Sequence, residues 1–184
     1  MIQLPPGINY SKYHSTSGMS TKDFGPSTWN FLFISILGRY PIKIDKNNKE
    51  HMKIAKAYYN LLSNLCMTLP CIFCRESYTH FLKEQPLKPY LSGRIELFYW
   101  LYLMKDKVNK KLIEQENTLY KEYKNKLKLY YKNKRITKEQ YYTKLSKLKK
   151  KCFYTKPTPS FDVILNKYEA FRAKCNTKRK SCSK

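Results

Sequence analysis

The chain has 184 residues, of which 42% are apolar, and its formal net charge is +24. This length predicts one compact domain with at most a short appendage, and only five glycines weigh against a β-sandwich. No apolar run approaches the roughly 20 residues that span a bilayer, and the N-terminus lacks a secretory signal, so we expect an intracellular protein without a membrane segment.

Three helices are expected in the first half of the chain, behind a flexible leader over 1–22. Pro26 suits the first turn of the first helix, and Asn47 with Glu50 resembles a capping pair for the second. Pro70 is expected to open the third helix. The expected spans are about 26–37, 47–65 and 70–85.

The second half of the chain begins with a fourth helix, expected from Gly93 to about Leu112. The segment 113–155 then holds thirteen Lys/Arg and four acidic residues. It predicts a basic helical hairpin, with its turn at Asn133-Lys134-Arg135 and with Thr137 and Gln140 capping its second arm. The hairpin's expected apolar stripe consists of Leu119, Tyr123, Leu127, Tyr130, Leu145 and Leu148.

A last helix is expected from Ser160, its cap, to about Arg172, and 173–184 form a basic tail that contains two cysteines. The predicted fold class is therefore all-α. The predicted organisation is a helical domain over 23–112 and 156–172, with the hairpin 113–155 as an insertion between its two parts.

The pair Cys71 and Cys74 is the strongest chemical signal. Two cysteines separated by two residues can close a small disulfide ring, and unpaired N–H groups at a helix start stabilise a thiolate. Pro70 is expected to place Cys71 at such a start. The pair therefore predicts a centre that cycles between dithiol and disulfide.

Zinc binding and covalent haem attachment are the alternative functions of this pair. Structural zinc usually needs a second ligand pair, and Cys175 and Cys182 are six residues apart in the tail. Covalent haem needs His after the second cysteine, where Arg75 stands. No metal site is predicted, although the pair alone leaves redox and zinc chemistry open.

The residues around the pair resemble the Erv/ALR family of FAD-linked sulfhydryl oxidases, particularly the versions from large DNA viruses. The resemblance covers about 24–112 and 156–172. The matching pieces, in order, are Gly25 to Trp29 (G-x-x-x-W), Arg39-Tyr40-Pro41, Leu69 to Cys74 (with the CxxC pair), Trp100, Val108 to Leu112, Lys156-Pro157 and Phe161-Asp162.

This resemblance implies an Erv-like four-helix bundle with a short fifth helix. It implies Cys71 and Cys74 as the catalytic pair of a thiol:oxygen oxidoreductase, with FAD as cofactor, molecular oxygen as acceptor and hydrogen peroxide as product. Phe33 and Lys105 depart from the family pattern, which has His at both positions. The implied FAD contacts are Gly25, Trp29, Phe33, Tyr40, Phe73, Lys105, Val108, Asn109, Lys111 and Tyr168.

Partners follow from the same resemblance. We expect protein thiols or a thioredoxin-like carrier as substrate, a homodimer formed by the first helices, and the host cytoplasm or virion as location. Cys175 and Cys182 are candidates for a second, shuttle pair. The basic segment 113–155 could meet nucleic acid or an acidic partner, and the alternative function is a basic nucleic-acid-binding or interaction protein with a redox or zinc-binding CxxC.

Overall fold

The computed structural model describes residues 18–176 and 181–183, and these residues confirm the all-α fold class, with one small β-hairpin near the C-terminus. The elements are α1 (Thr21–Arg39), α2 (Lys49–Ser63), α3 (Leu65–Thr68), α4 (Ile72–Glu84), a 3-10 helix (Lys88–Tyr90), α5 (Arg94–Lys132), α6 (Lys138–Cys152), α7 (Phe161–Glu169), β1 (Lys174–Asn176) and β2 (Ser181–Ser183). Most of the predicted leader, residues 1–17, lies outside the described residues.

One hydrophobic core joins α1, α2, α4, α5 and α7. Phe33 of α1, Phe98 of α5 and Tyr168 of α7 are in mutual ring contact, so three helices meet at one aromatic cluster. Burying each such side chain stabilises the fold by roughly 1.5–3 kcal/mol. The largest fully buried side chains are Trp100, Tyr40, Phe33, Phe98, Ile36, Leu62, Leu97, Leu101 and Met104.

The polar groups in this core are hydrogen-bonded across helices. The Tyr78 hydroxyl of α4 donates to the Leu62 carbonyl of α2 over 2.7 Å. The Trp100 Nε1 of α5 donates to the Gln85 carbonyl at the end of α4 over 2.9 Å. These bonds satisfy buried donors and hold α4 between α2 and α5.

Several predicted helix starts were wrong by a few residues. Pro26 is the sixth residue of α1 rather than part of its first turn, because the helix already begins at Thr21. Asn48, not Asn47, caps α2, since its side chain accepts from the N–H groups of Glu50 and His51. α7 also ends earlier than predicted, at Glu169.

The predicted break near Leu112 was wrong, because α5 continues from Arg94 to Lys132 without interruption. A helix of 39 residues is about 58 Å long. Segment 113–155 is therefore a hairpin made of the distal half of α5, α6 and a short return, and its first arm is continuous with the fourth predicted helix. The predicted turn and the Thr137–Gln140 capping box are both confirmed.

The seam between α5 and α6 also differs from the predicted stripe. Leu119 and Tyr123 are about half exposed, and the α5 side of the seam uses Glu116 and Tyr120 in addition to Leu127. The buried Glu116 carboxylate accepts from both the N–H and the hydroxyl of Thr155, where the chain leaves α6.

None of the helices within 18–176 is both long and apolar enough to cross a bilayer.

Candidate active site

Cys71 and Cys74 lie at the N-terminus of α4, close to the start of α1. Cys71 is the N-cap residue, and its sulfur accepts from the Cys74 N–H over 3.3 Å. Pro70 lies outside the helix, where its carbonyl accepts from the Met19 N–H. A side chain at Gly18 would collide with the Pro70 carbonyl, so glycine permits this close approach. The prediction that Pro70 opens the helix was wrong by two residues.

The two thiols have different surroundings although both are half-buried. Burial and a hydrogen bond to the Cys71 sulfur raise the pKa of Cys74 to about 12, and the charge of Cys71 adds to the rise. The positive charges of Lys111 and Arg75 oppose this rise in the pKa of Cys74. The reduced pair therefore keeps a proton on Cys74, which donates it toward Cys71.

Three predicted cofactor residues form a row along α5. Lys105, Val108 and Lys111 are spaced three residues apart, so each is a neighbour of the next and the row winds obliquely around the helix. At one end of the row, the Lys105 ammonium lies 5.6 Å from the Trp29 ring centroid on α1. At the other end, Lys111 Nζ bonds to the Ser77 hydroxyl on α4. The row thus joins predicted residues of α1 to the cysteine pair.

Lys105 is a partly buried cation with no carboxylate partner among the described side chains. Burial lowers the pKa of Lys105, and the like charge of Lys167 lowers it further. Its one hydrogen-bond acceptor is Asn109 Oδ1 at 3.4 Å, and Asn109 Nδ2 donates to the Thr158 hydroxyl. An anionic group beside Lys105 would relieve this unfavourable charge.

The remaining predicted cofactor positions are not all close together. Phe33 and Tyr168 stack inside the core with their ring centroids 4.8 Å apart. Gly25 borders open space, since a side chain there would meet nothing within 4 Å. Phe73 is 71% exposed beside Cys71. Tyr40 follows the far end of α1, about 28 Å along the helix from its start near the pair.

Three residues near the site were missed by sequence reasoning. Ser77 lies one turn after Cys74 on α4 and contacts Lys111, a position that helical spacing could have indicated. Arg75 binds the Leu69 carbonyl over 2.7 Å and adds positive charge near Cys74. Lys167, beside Lys105, carried no sequence signal because α7 and α5 are distant in the chain.

The candidate shuttle cysteines lie on paired strands. β1 and β2 are antiparallel, and Cys175 is directly opposite Cys182 in their register. Their side chains lie outside the described part of the structure. Among the side chains that are described, no three of His, Cys, Asp and Glu come together as metal ligands.

A known protein family matches the part of the chain that contains the cysteine pair. The Erv1/Alr family matches residues 26–132, which include most of α1, the CxxC pair and all of α5 and make up more than half of the chain. A search of curated proteins gave no significant match. The chain therefore belongs to the Erv1/Alr family, whose members are in general FAD-linked sulfhydryl oxidases.

Proposed function

We propose that this protein oxidises pairs of thiols in protein substrates to disulfides and passes the electrons through Cys71 and Cys74 to FAD and then to oxygen. The observation that supports this proposal most directly is the row Lys105–Val108–Lys111, which leads from Trp29 to the cysteine pair. In the overall reaction, two thiols and one oxygen molecule give one disulfide and one hydrogen peroxide.

Cys71 is the sulfur that meets substrate in this proposal. A substrate thiolate attacks the Cys71 sulfur, the Cys71–Cys74 bond breaks, and Cys74 leaves as a thiolate. A second substrate thiolate then attacks the substrate sulfur of this mixed disulfide. The product disulfide forms, Cys71 leaves as a thiolate, and both cysteines of the pair are then reduced. Cys74 faces the positive charges of Lys111 and Arg75, which stabilise its thiolate at the moment it is released.

The residues present suit FAD beside Cys74. The unpaired Lys105 ammonium would hold the diphosphate, while Trp29 and Val108 would supply apolar contacts. When bound, FAD supplies the two-electron oxidation of the dithiol and the transfer of those electrons to oxygen. The protein itself positions Cys74 and stabilises the negative charge of its thiolate.

Exposed apolar side chains around the pair support a polypeptide substrate. Met67, Ile72 and Phe73 are between 55% and 76% exposed, and Met19 is 70% exposed next to Pro70. Such a cluster beside a reactive disulfide would bind apolar segments of a thiol-containing protein or of a thioredoxin-like carrier.

The proposed role of Cys175 and Cys182 is a shuttle that receives electrons from substrate and passes them to Cys71. Directly opposite residues of antiparallel strands have Cα atoms about 4.5–5.5 Å apart, which is the spacing that a disulfide needs. The register of β1 and β2 supports this pairing.

A homodimer is proposed through the exposed face of α1. Ser27, Phe31, Ile34 and Gly38 follow one strip of that helix, and all four are exposed. Phe31 is 61% exposed and Ile34 45%, which favours burial of this strip against a second copy.

The test is to measure flavin absorbance and oxygen uptake of the purified full chain with dithiothreitol. We expect a yellow protein that consumes oxygen, and Cys74→Ala should abolish uptake while retaining the flavin. Cys66→Ser is the matched control, because Cys66 is half-buried outside the pair and should leave uptake unchanged. Cys175→Ser should slow oxidation of a reduced protein but not of dithiothreitol.

A protein that stays colourless after FAD is added would refute the oxidase proposal. Equal rates of Cys175→Ser and the unmodified chain on reduced protein would refute the shuttle while leaving the oxidase intact.

A further inference from the structure

The hairpin formed by distal α5 and α6 has one side that is dense in exposed lysines. On α5, Lys121, Lys124, Lys128 and Lys132 occupy one helix face, since they follow one another at spacings of three or four residues. Lys138 and Lys149 are exposed on α6. These six residues are called the lysine face below.

The lysines of the two helices lie on the same side of the hairpin. Lys121 and Lys128 immediately follow the α5 seam residues Tyr120 and Leu127, and Lys149 immediately follows the α6 seam residue Leu148. One residue turns a helix by about 100°. In two antiparallel right-handed helices, the residue that follows a seam residue therefore lies on the same side of the hairpin in both helices.

Two tyrosines share this side by the same rule. Tyr131 follows Tyr130, and Tyr142 follows Tyr141. Tyr131 is 42% exposed and Tyr142 57%, and both rings contact Tyr141 between them. The lysine face therefore surrounds a cluster of partly exposed aromatic rings.

The positive charge of the lysine face is not neutralised within the described structure. Every ion pair found among the described side chains lies outside the lysine face. The hairpin's one buried carboxylate, Glu116, is used by Thr155. Lys121 to Lys132 extend over about 16 Å of a continuous helix, which gives a straight row with roughly one ammonium group per turn.

A straight row of ammonium groups fits a linear polyanion better than a folded acidic protein. Lysine is depleted at the centres of protein–protein interfaces, whereas lysines that neutralise successive phosphates provide most of the sequence-independent affinity for nucleic acid. Exposed tyrosines among the lysines add surfaces on which unpaired bases stack.

We propose that the lysine face binds single-stranded nucleic acid without sequence preference, with its lysines on the phosphate backbone and Tyr131 and Tyr142 against the bases. This binding uses neither the cysteine pair nor the row on proximal α5, so it stands independently of the oxidase proposal.

The test measures binding of the full chain to a fluorescently labelled single-stranded oligonucleotide of mixed sequence by anisotropy, over a series of salt concentrations. One variant replaces Lys121, Lys124, Lys128 and Lys132 with Gln, which has nearly the helix propensity of Lys and should leave the fold intact. We expect its affinity to fall about tenfold or more and the slope of log K against log salt to decrease by about 3.

The matched control replaces four exposed lysines of the body, which lowers the net charge by the same amount. They are Lys43, Lys46, Lys53 and Lys56. This control should bind within about twofold of the unmodified chain, and Tyr142→Ala should weaken binding about tenfold.

Equal losses in the two four-lysine variants would overturn the proposal, because binding would then follow net charge and not the lysine face. Unchanged oligonucleotide binding in the hairpin variant would overturn it as well, including when that variant loses binding to an acidic polypeptide such as polyglutamate.

Discussion

At the scale of single residues, the two cysteines of the pair are not equivalent. Cys71 ends the extended segment before α4, and its sulfur accepts from the Cys74 N–H. Cys74 lies inside the first turn, next to Lys111 of α5. A CxxC sequence is almost symmetrical, so this difference arises from the helix start and from a residue 37 positions away in the chain.

We predict that the positive charge of Lys111 lowers the pKa of Cys74. Replacement of Lys111 by Met removes a positive charge that stabilises the thiolate, so the pKa should rise above its present value of about 12. At a given pH between about 7 and 9, where lysine side chains are still charged, less of Cys74 would be ionised, and its alkylation should be slower. The measurement is the rate of iodoacetamide labelling of Cys74 in the reduced protein against pH, located by mass spectrometry.

Lys110→Met is the matched control for this prediction. Lys110 also lies on α5, but it is fully exposed and its ammonium group pairs with Asp106 at 2.7 Å. Identical labelling profiles for the Lys110 and Lys111 variants would contradict the proposed effect of Lys111 on Cys74.

At the scale of elements, α5 shows that a change of composition does not end a helix. The sequence becomes strongly basic after about residue 112, yet it contains neither Gly nor Pro between Arg94 and Lys132. Helices end where breakers or capping residues act, and lysine is a good helix former. The predicted boundary failed because it followed charge and not these local determinants.

Glu116 is predicted to anchor the return from α6 to the body. Glu116→Ala would leave the Thr155 N–H without its acceptor and should lower the free energy of unfolding by about 1–3 kcal/mol. Glu116→Gln keeps one carbonyl acceptor, so we expect a smaller loss. Urea unfolding of the full chain, followed by circular dichroism, measures both.

Glu122→Ala serves as the comparison, because Glu122 is exposed on the same helix. It should change the free energy of unfolding by no more than about 0.5 kcal/mol. If Glu116→Ala and Glu122→Ala have the same effect, the contact between Glu116 and Thr155 does not stabilise the hairpin.

At the scale of the whole molecule, the exposed face of α1 predicts how two copies would meet. Phe31→Asp should place a charge in the proposed interface and convert the dimer to a monomer, because burying an unpaired charge is costly. Sedimentation velocity over a series of concentrations measures the change.

Ile42→Asp controls for the loss of an exposed apolar residue elsewhere on the surface, since Ile42 is 78% exposed beyond the end of α1. It should leave the sedimentation coefficient unchanged. A monomeric unmodified chain, or a dimer that persists in Phe31→Asp, would contradict the proposed interface.

The sequence signals that predicted the helices act over short distances in the chain. Helical periodicity, the prolines and the Thr137–Gln140 capping box were enough for the all-α class and for most of the elements, because these signals act within a few residues. The spacing of Cys71 and Cys74 likewise predicts a redox-active pair, since a CxxC needs only neighbouring backbone to close its ring.

The surroundings of that pair depend on how the helices pack. Packing brings Lys111 of α5 next to Cys74 of α4 and leaves Lys105 half-buried beside Lys167. It also leaves Tyr40 away from Cys74 and from Lys105. These relations depend on how distant helices pack, and a side chain's charge environment is set by neighbours that have no fixed separation in the chain. The sequence could therefore indicate candidate reactive residues, while helix packing determines which side chains face one another.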